Sequence, residues 1–179
     1  MSGAPLKEDA RITLLLDTNV WLDYYLGWRS GHAAAAELIT RACETDADLL
    51  YAAVTSKDVF YQIAAELKRQ ARAANAGVLD EPAARAAGEA AWACVEHLDE
   101  IATVVGCDLS DLWLARKQRV LHTDYEDDLV IAAALRANPT CLVTSDEALL
   151  RHAPVAALCV EDAAKLFSTT PGDSPCLPT

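Results

Sequence analysis

The chain has 179 residues, 53% of them hydrophobic, a size and composition that fit one domain with a sizeable core and leave little room for two. A formal net charge of -12 speaks against a surface coated in basic residues for nonspecific DNA binding, but not against an acidic metal site that repels phosphate until a divalent cation arrives. No apolar run reaches the ~18 to 20 residues of a membrane span, and the polar start lacks the apolar centre of a signal peptide, so a cytoplasmic protein without membrane association is expected.

Residues 1–10 carry Gly, Pro and charges without periodicity and are expected to form a flexible leader. Ile12 to Leu16 is a short apolar run that reads as a buried parallel strand and stops on Asp17, a carboxylate that a strand interior does not tolerate. Asp17 therefore falls at the C-terminal edge, where open α/β sheets bind ligands. Asp17 and Asn19 also suit the N-terminus of a helix that Val20, Trp21, Leu22 and Tyr24 begin, so capping and ligand binding both remain open for Asp17. Gly27 to Gly31 breaks the pattern, and His32 to Cys43 restarts it at helical spacing.

Asp46 and Asp48 mark a turn into a second strand at Leu49 to Val54, with Thr55-Ser56 expected to end it and cap a helix whose first turn holds Asp58. That helix runs to about Gln70, and Gly77 lies where the chain is expected to have left it. Glu81 to Leu98, with Pro82 near its start, reads as a helix turning Trp92 and Val95 inward. Glu100 to Gly106 is the third strand candidate, and Asp108 to Asp111 cap a helix through Leu121. The acidic run Asp124-Tyr125-Glu126-Asp127-Asp128 opens a helix from Leu129 to Arg136, which Asn138-Pro139 terminates. Cys141 to Val143 is the fourth strand, followed by Thr144, Ser145 and Asp146. Leu158 to Val160 is a fifth strand, Asp162 to Phe167 a last helix, and 168–179, with three prolines, a disordered tail.

Strands alternating with helices predict an α/β fold, a small central parallel sheet covered by helices on both faces. Asp17, Asp58 and Asp146 then each follow a different strand on one edge, and Asp127 or Asp128 opens the helix leading into the fourth strand. Helix caps explain each acid singly. Convergence on one edge would cost several kcal/mol in repulsion without a compensating cation, which favours a divalent metal site. Six dispersed cysteines without Cys-x-x-Cys spacing read as reduced and mostly structural, several in apolar surroundings, and His32, His97, His122 and His152 are dispersed too, His122 alone lying near the acids.

Four segments in order, L-L-L-D-T-N-V at Leu14 to Val20, V-T-S-K-D-V at Val54 to Val59, D-Y-E-D-D-L at Asp124 to Leu129 and L-V-T-S-D at Leu142 to Asp146, resemble the PIN-domain ribonucleases, in particular the VapC-like toxins. The resemblance implies a three-layer PIN-like nuclease domain over 11–167. It implies a site of Asp17, Asp58, Asp127 or Asp128, and Asp146, with Asn19, Thr144 and Ser145 as polar support. The acid at Asp58 is one methylene shorter than the commoner Glu, and the chain is longer than compact toxins between Lys57 and Arg119. Carboxylate oxygens suit Mg²⁺ or Mn²⁺, and the implied reaction is metal-assisted hydrolysis of an RNA phosphodiester.

Lys57, Lys68, Arg69, Arg72, Arg116, Lys117 and Arg119 are candidates to hold RNA, with a solvated helix face as the alternative for each group. Tyr24, Tyr25 and Trp28 could stack bases, although core packing or an antitoxin contact suits Trp21 and Trp28 better. Implied partners are an RNA substrate, an antitoxin protein and a second copy of the chain, because the first helix carries more aromatics than one face can bury. Two other readings compete: a non-catalytic interaction module with the same fold, and an aspartyl-nucleophile phosphatase, which wants a second Asp where this chain has Asn19.

Overall fold

A computed structural model describes residues 11–119 and 124–167. The expected leader, the expected tail, Leu121 and His122 lie outside the described residues. The chain runs β1 (Thr13–Leu16), α1 (Thr18–Tyr25), α2 (His32–Glu44), β2 (Asp48–Ala52), α3 (Ala53–Ala74), α4 (Glu81–Ile101) and β3 (Thr103–Val105). It continues through α5 (Leu109–Gln118), α6 (Tyr125–Ala137), β4 (Cys141–Val143), α7 (Glu147–His152), β5 (Ala157–Leu158) and α8 (Val160–Lys165). Among the described residues no helix is long and apolar enough to cross a membrane.

Every strand pair is parallel, and the spatial order is β3-β2-β1-β4-β5. The side-chain period of two divides the strands between two cores. Leu14, Leu16, Tyr51, Cys141 and Val143 face a core shared with Trp21, Leu38, Val59 and Leu98, whereas Leu15, Ala52 and Leu142 face Val130, Ala133 and Ala134 of α6. Helices therefore cover both faces, the three-layer PIN-like arrangement expected from the sequence. The chain leaves β1 to one side for β2 and β3 and returns to the other side for β4. The sheet thus has its switch point between β1 and β4, where the neighbouring loops diverge and open a crevice at the carboxyl ends.

Several boundaries differ from the sequence reading. The second strand ends at Ala52 rather than Val54, and α3 starts at once without a side-chain cap. Thr55 does not cap it: its buried hydroxyl lies 3.2 Å from that of Thr18, a tertiary bond that replaces the local one. Asp58 consequently sits in the second turn of α3, not the first. Ile101 closes α4 instead of joining β3, and Val160 opens α8 instead of ending β5. The acidic run lies inside α6, whose cap is Asp124, with its carboxylate accepting from the Glu126 N–H at 2.8 Å. At the other end Asn138 adopts φ 48°, a left-handed conformation that ends the helix before Pro139.

Trp92, expected inward, is 56% exposed and packs its ring on Phe60 at 4.9 Å between α3 and α4. Cys43 and Cys107 are exposed rather than in apolar surroundings, while Cys141 is buried, and all the described cysteines are free thiols. The aromatic surplus expected on α1 is used inside the chain. Trp21 and Leu26 are buried, and Tyr24 and Tyr25 pack against that core and against His97 of α4. Trp28, past the end of the helix, is the one of these side chains left largely exposed.

Candidate active site

The crevice between β1 and β4 is closed at its floor by one side-chain bond. Asp17, 3% exposed, accepts from the Thr18 N–H at 2.7 Å through Oδ1 and from the Thr144 hydroxyl at 2.7 Å through Oδ2. Its N–H donates to Val143 O at 2.9 Å, carrying the β1–β4 ladder one step past the strands. The Thr144 oxygen in turn accepts from the Asp146 N–H at 3.0 Å. Asp17 is thus cap and crevice floor at once, so capping does not exclude a chemical role.

Asp146 caps α7, with Oδ1 accepting from the Ala148 and Leu149 N–H groups at 2.7 and 3.0 Å. Asp58, buried on α3, takes the Lys57 ammonium at 2.9 Å on Oδ1, while its Oδ2 is buried with no hydrogen-bond partner. Residues three apart share a helix face, so Thr55 and Asp58 project together toward Thr18. Asn19 is half-buried beside Asp17 and hydrogen-bonds it, whereas Ser145 is exposed.

The charges of these acids act on one another. Burial pushes the Asp17 carboxyl above its ordinary range and Asp146 adds to the shift, against the opposing bonds from Thr144, Thr18 and Asn19. Asp127 is pushed up to about 7, first by burial and then by Asp17, Asp124, Asp146 and Glu126. Glu126 is raised by burial and then by Asp58, Asp17 and Asp124, while a hydrogen bond with Thr18 works the other way. Asp128 is 3% exposed and is not among the main influences on any of these three. Of the two candidates for the third acid, Asp127 is half-buried and feels the charges of Asp17 and Asp146, and Asp128 is buried.

Glu126 was missed by the sequence reading as a site residue. Its signal was its place in the D-Y-E-D-D run, yet only the approach of α6 to α3 and α1 shows that it faces Asp58 and Thr18. The basic candidates separate as well. Lys57 is tied to Asp58, and Arg69 is paired with Glu66 at 2.5 Å. Lys68 and Arg72 lie ten and fourteen residues beyond Asp58, about 15 and 21 Å down the helix and away from the crevice. Arg116, Lys117 and Arg119 end α5, which runs back along α6. Arg136 near the end of α6 grips Asp111 in the first turn of α5 at 2.9 and 2.6 Å, so the basic end of α5 lies at the opposite end of that helix from this grip.

Hard carboxylate oxygens from four elements, mutually raised affinities for protons and an orphaned buried Asp58 oxygen fit a hard divalent cation. Among the described residues, however, no three potential ligands stand close enough to grip one ion as placed. The donor types suit a hard cation, and the side chains would have to close by rotation to hold one.

Residues 13–148 match the PIN domain family, and the chain belongs to it. PIN domains are generally nucleases. The fold is similar to a chain in the crystal structure of VapBC2 from Rickettsia felis bound to a DNA fragment from their promoter, with a TM-score of 0.57, 10% identity, and coverage of 83% of this chain and 98% of that one. No curated protein matches the sequence.

Proposed function

We propose that this chain is a divalent-metal-dependent endoribonuclease that hydrolyses RNA phosphodiesters and serves as the toxin of a toxin–antitoxin pair. The observation that carries the nuclease reading is the buried Asp17 at the switch crevice, held by Thr144 and with the acids Asp127, Asp146 and Glu126 as its charged neighbours among the described residues. The toxin reading rests on similarity to a VapBC2 chain and on family membership.

Asp17, Asp58, Asp127 and Asp146 would hold Mg²⁺ or Mn²⁺, with Glu126 beside them and Asn19 and Thr144 fixing Asp17. When bound, such an ion lowers the pKa of its water and stabilises charge on phosphoryl oxygens. The chain's own contribution is orientation. Thr144 and the Thr18 N–H lock the Asp17 carboxylate, and the α7 N-terminus fixes Asp146 so that its second oxygen is directed by the cap. Asp127, which takes up a proton near neutrality in the metal-free protein, would give it up as a cation binds.

An antitoxin would have an apolar surface to cover on the α3–α4 hairpin, where Tyr61 and Trp92 are 64% and 56% exposed. The same surface suits a second copy of the chain, and light scattering with and without a co-expressed small partner separates the two. The catalytic reading is tested by cleavage of a mixed RNA pool by the wild type and Asp17→Asn, in Mg²⁺ or Mn²⁺ and again in EDTA. Cleavage that needs both the metal and Asp17 is the expected result. Equal cleavage by both proteins, or cleavage that persists in EDTA, would defeat it.

A further inference from the structure

The outer face of α5 carries a combination that neither the fold nor the acid edge requires. Asp111 and Ala115 turn into the α5–α6 contact and are buried, which leaves Trp113, Arg116 and Lys117 on the solvent side at positions i, i+3 and i+4. Trp113 is 54% exposed, and the Lys117 ammonium sits over its ring, 3.5 Å from the centroid. A cation there holds the indole in place and enriches the ring's surroundings in positive charge.

Most Lys and Arg side chains among the described residues hold a carboxylate: Arg11, Arg29, Arg41, Lys57, Arg69, Arg85, Arg136, Arg151 and Lys165 all do. Among the described residues Arg116, Lys117 and Arg119 have no ion pair, as Lys68 and Arg72 on α3 have none, but only on α5 do three such cations fall within one turn, in a chain with a net charge of -12 and beside an exposed indole. Three uncompensated cations in one turn of an acidic protein leave an anion as the fitting occupant. The turn is also close along the chain to the start of α6, which carries Glu126 and Asp127. Five peptide steps join Arg119 to Asp124, so their Cα atoms are at most ~18 Å apart, and Trp113 lies about 9 Å further back along α5.

Resting on the nuclease reading above, we propose that Trp113, with Lys117 on its ring, is a base-stacking platform that seats an unpaired nucleotide of the RNA while Arg116 and Arg119 hold its phosphates on the way to the acid edge. An exposed indole offers its face to any base that is out of a stack, so the platform selects single-stranded segments over duplex without reading sequence. Trp113 is a binding residue in this scheme and takes no part in bond cleavage. Leu109, 78% exposed one turn earlier on the same helix, makes a second copy of the chain the competing occupant.

The test uses the full chain with Asp17→Asn to suppress cleavage, a fluorescent single-stranded 20-nucleotide RNA, and the same RNA annealed to its complement. Trp113→Ala is expected to weaken binding of the single strand about tenfold and of the duplex hardly at all. Trp113→Phe should restore most of the affinity, which a purely structural role for the indole would not require. With Asp17 intact, Trp113→Ala should raise KM and leave kcat nearly unchanged. Equal single-strand binding by Trp113→Ala and its parent overturns the proposal, as does an equal loss for duplex, or a change in mass by light scattering that marks the face as a contact between copies. The two readings fail separately: Asp17→Asn without effect on cleavage removes the nuclease reading while a tenfold binding loss at Trp113 would still stand.

Discussion

Asp17 and Asp111 are both aspartates near a helix N-terminus and both are almost fully buried, 3% and 2% exposed, yet their surroundings are opposite. Asp111 accepts two bonds from the Arg136 guanidinium, at 2.9 and 2.6 Å, and a third from the Asp108 N–H at 2.7 Å. The same guanidinium also reaches Asp108 at 2.6 Å, so the buried carboxylate has a counter-charge, and the capping box it completes fixes α5 against α6. Asp17 accepts only neutral hydrogen bonds, from Thr18, Thr144 and Asn19, and its charged neighbours among the described residues are acids. A buried carboxylate closed by a guanidinium is architecture. A buried carboxylate held in place among other carboxylates stores an electrostatic deficit that a ligand of opposite charge can relieve.

The same substitution should separate the two. Asp17→Asn keeps the size and the cap, so cleavage should fall on the order of 10² to 10³-fold in the RNA assay while the thermal midpoint stays level or rises. Asp111→Asn should do the reverse, because Arg136 loses the charge it grips. The midpoint should drop by roughly 3 to 5 °C, with cleavage per folded molecule unchanged, measured by a melt beside the same assay. If Asp17→Asn instead melts early and cuts normally, the contrast collapses and Asp17 is only a cap.

The pH dependence sharpens the contrast. Asp127 titrates at about 7 in the fold against 3.8 unfolded, and Asp17 is shifted in the same direction. A carboxyl whose folded pKa is raised favours the native state when protonated, so that stability is fully present below the unfolded pKa and is lost as pH rises to the folded one. Metal-free protein should therefore lose stability between about pH 4 and pH 7, by about 1 to 2 kcal/mol once solvent screening of half-buried Asp127 is allowed for. Added Mn²⁺ should flatten that slope. Denaturant melts across the range in EDTA and in Mn²⁺ check both statements, and a slope identical in the two would argue against a cation among these acids.

The smallest effect concerns a third buried acid, Asp23, closed by Arg29 at 2.5 Å. Gly31 lies against it so tightly that an added Cβ would sit 2.1 Å from Asp23 Oδ2. Gly31→Ala should push the carboxylate off Arg29 and lower the midpoint by roughly 2 to 4 °C without touching RNA cleavage. An unchanged midpoint would mean that this ion pair is free to move, unlike the one at Asp111.

The four motifs pointed to Asp17, Asp58, Asp146 and Asp127 or Asp128 on the same edge of a parallel sheet because each lies within six residues of a strand end or opens the helix entering the next strand. Period-two alternation in Leu14-Leu15-Leu16 and helical spacing elsewhere were enough for the layers. What failed was local wherever a tertiary contact outbid a cap. Thr55 reads as a cap in any local window, but its hydroxyl is spent on Thr18, and α3 begins two residues earlier. Trp92 falls on an inward stripe by periodicity and is nevertheless exposed, because α3 and α4 pack mainly on each other at that level.

The sequence by itself determined the order of strands and helices, the α/β class and the acid at the end of each contributing element, since these follow from hydrophobic period and from the intolerance of a strand interior for charge. Only the tertiary structure decided which acid has a cation and which has other acids for neighbours. Asp111 and Asp17 are alike in sequence context, and the difference between them is Arg136, which lies 25 residues from one and 119 from the other along the chain but touches only the first. It decided likewise for the approach of Glu126 to Asp58 and Thr18, because the rotation of α6 about its axis is fixed by Val130, Ala133 and Ala134 against the sheet. A helix face is a property of packing, and charge falls off with distances that sequence separation does not measure.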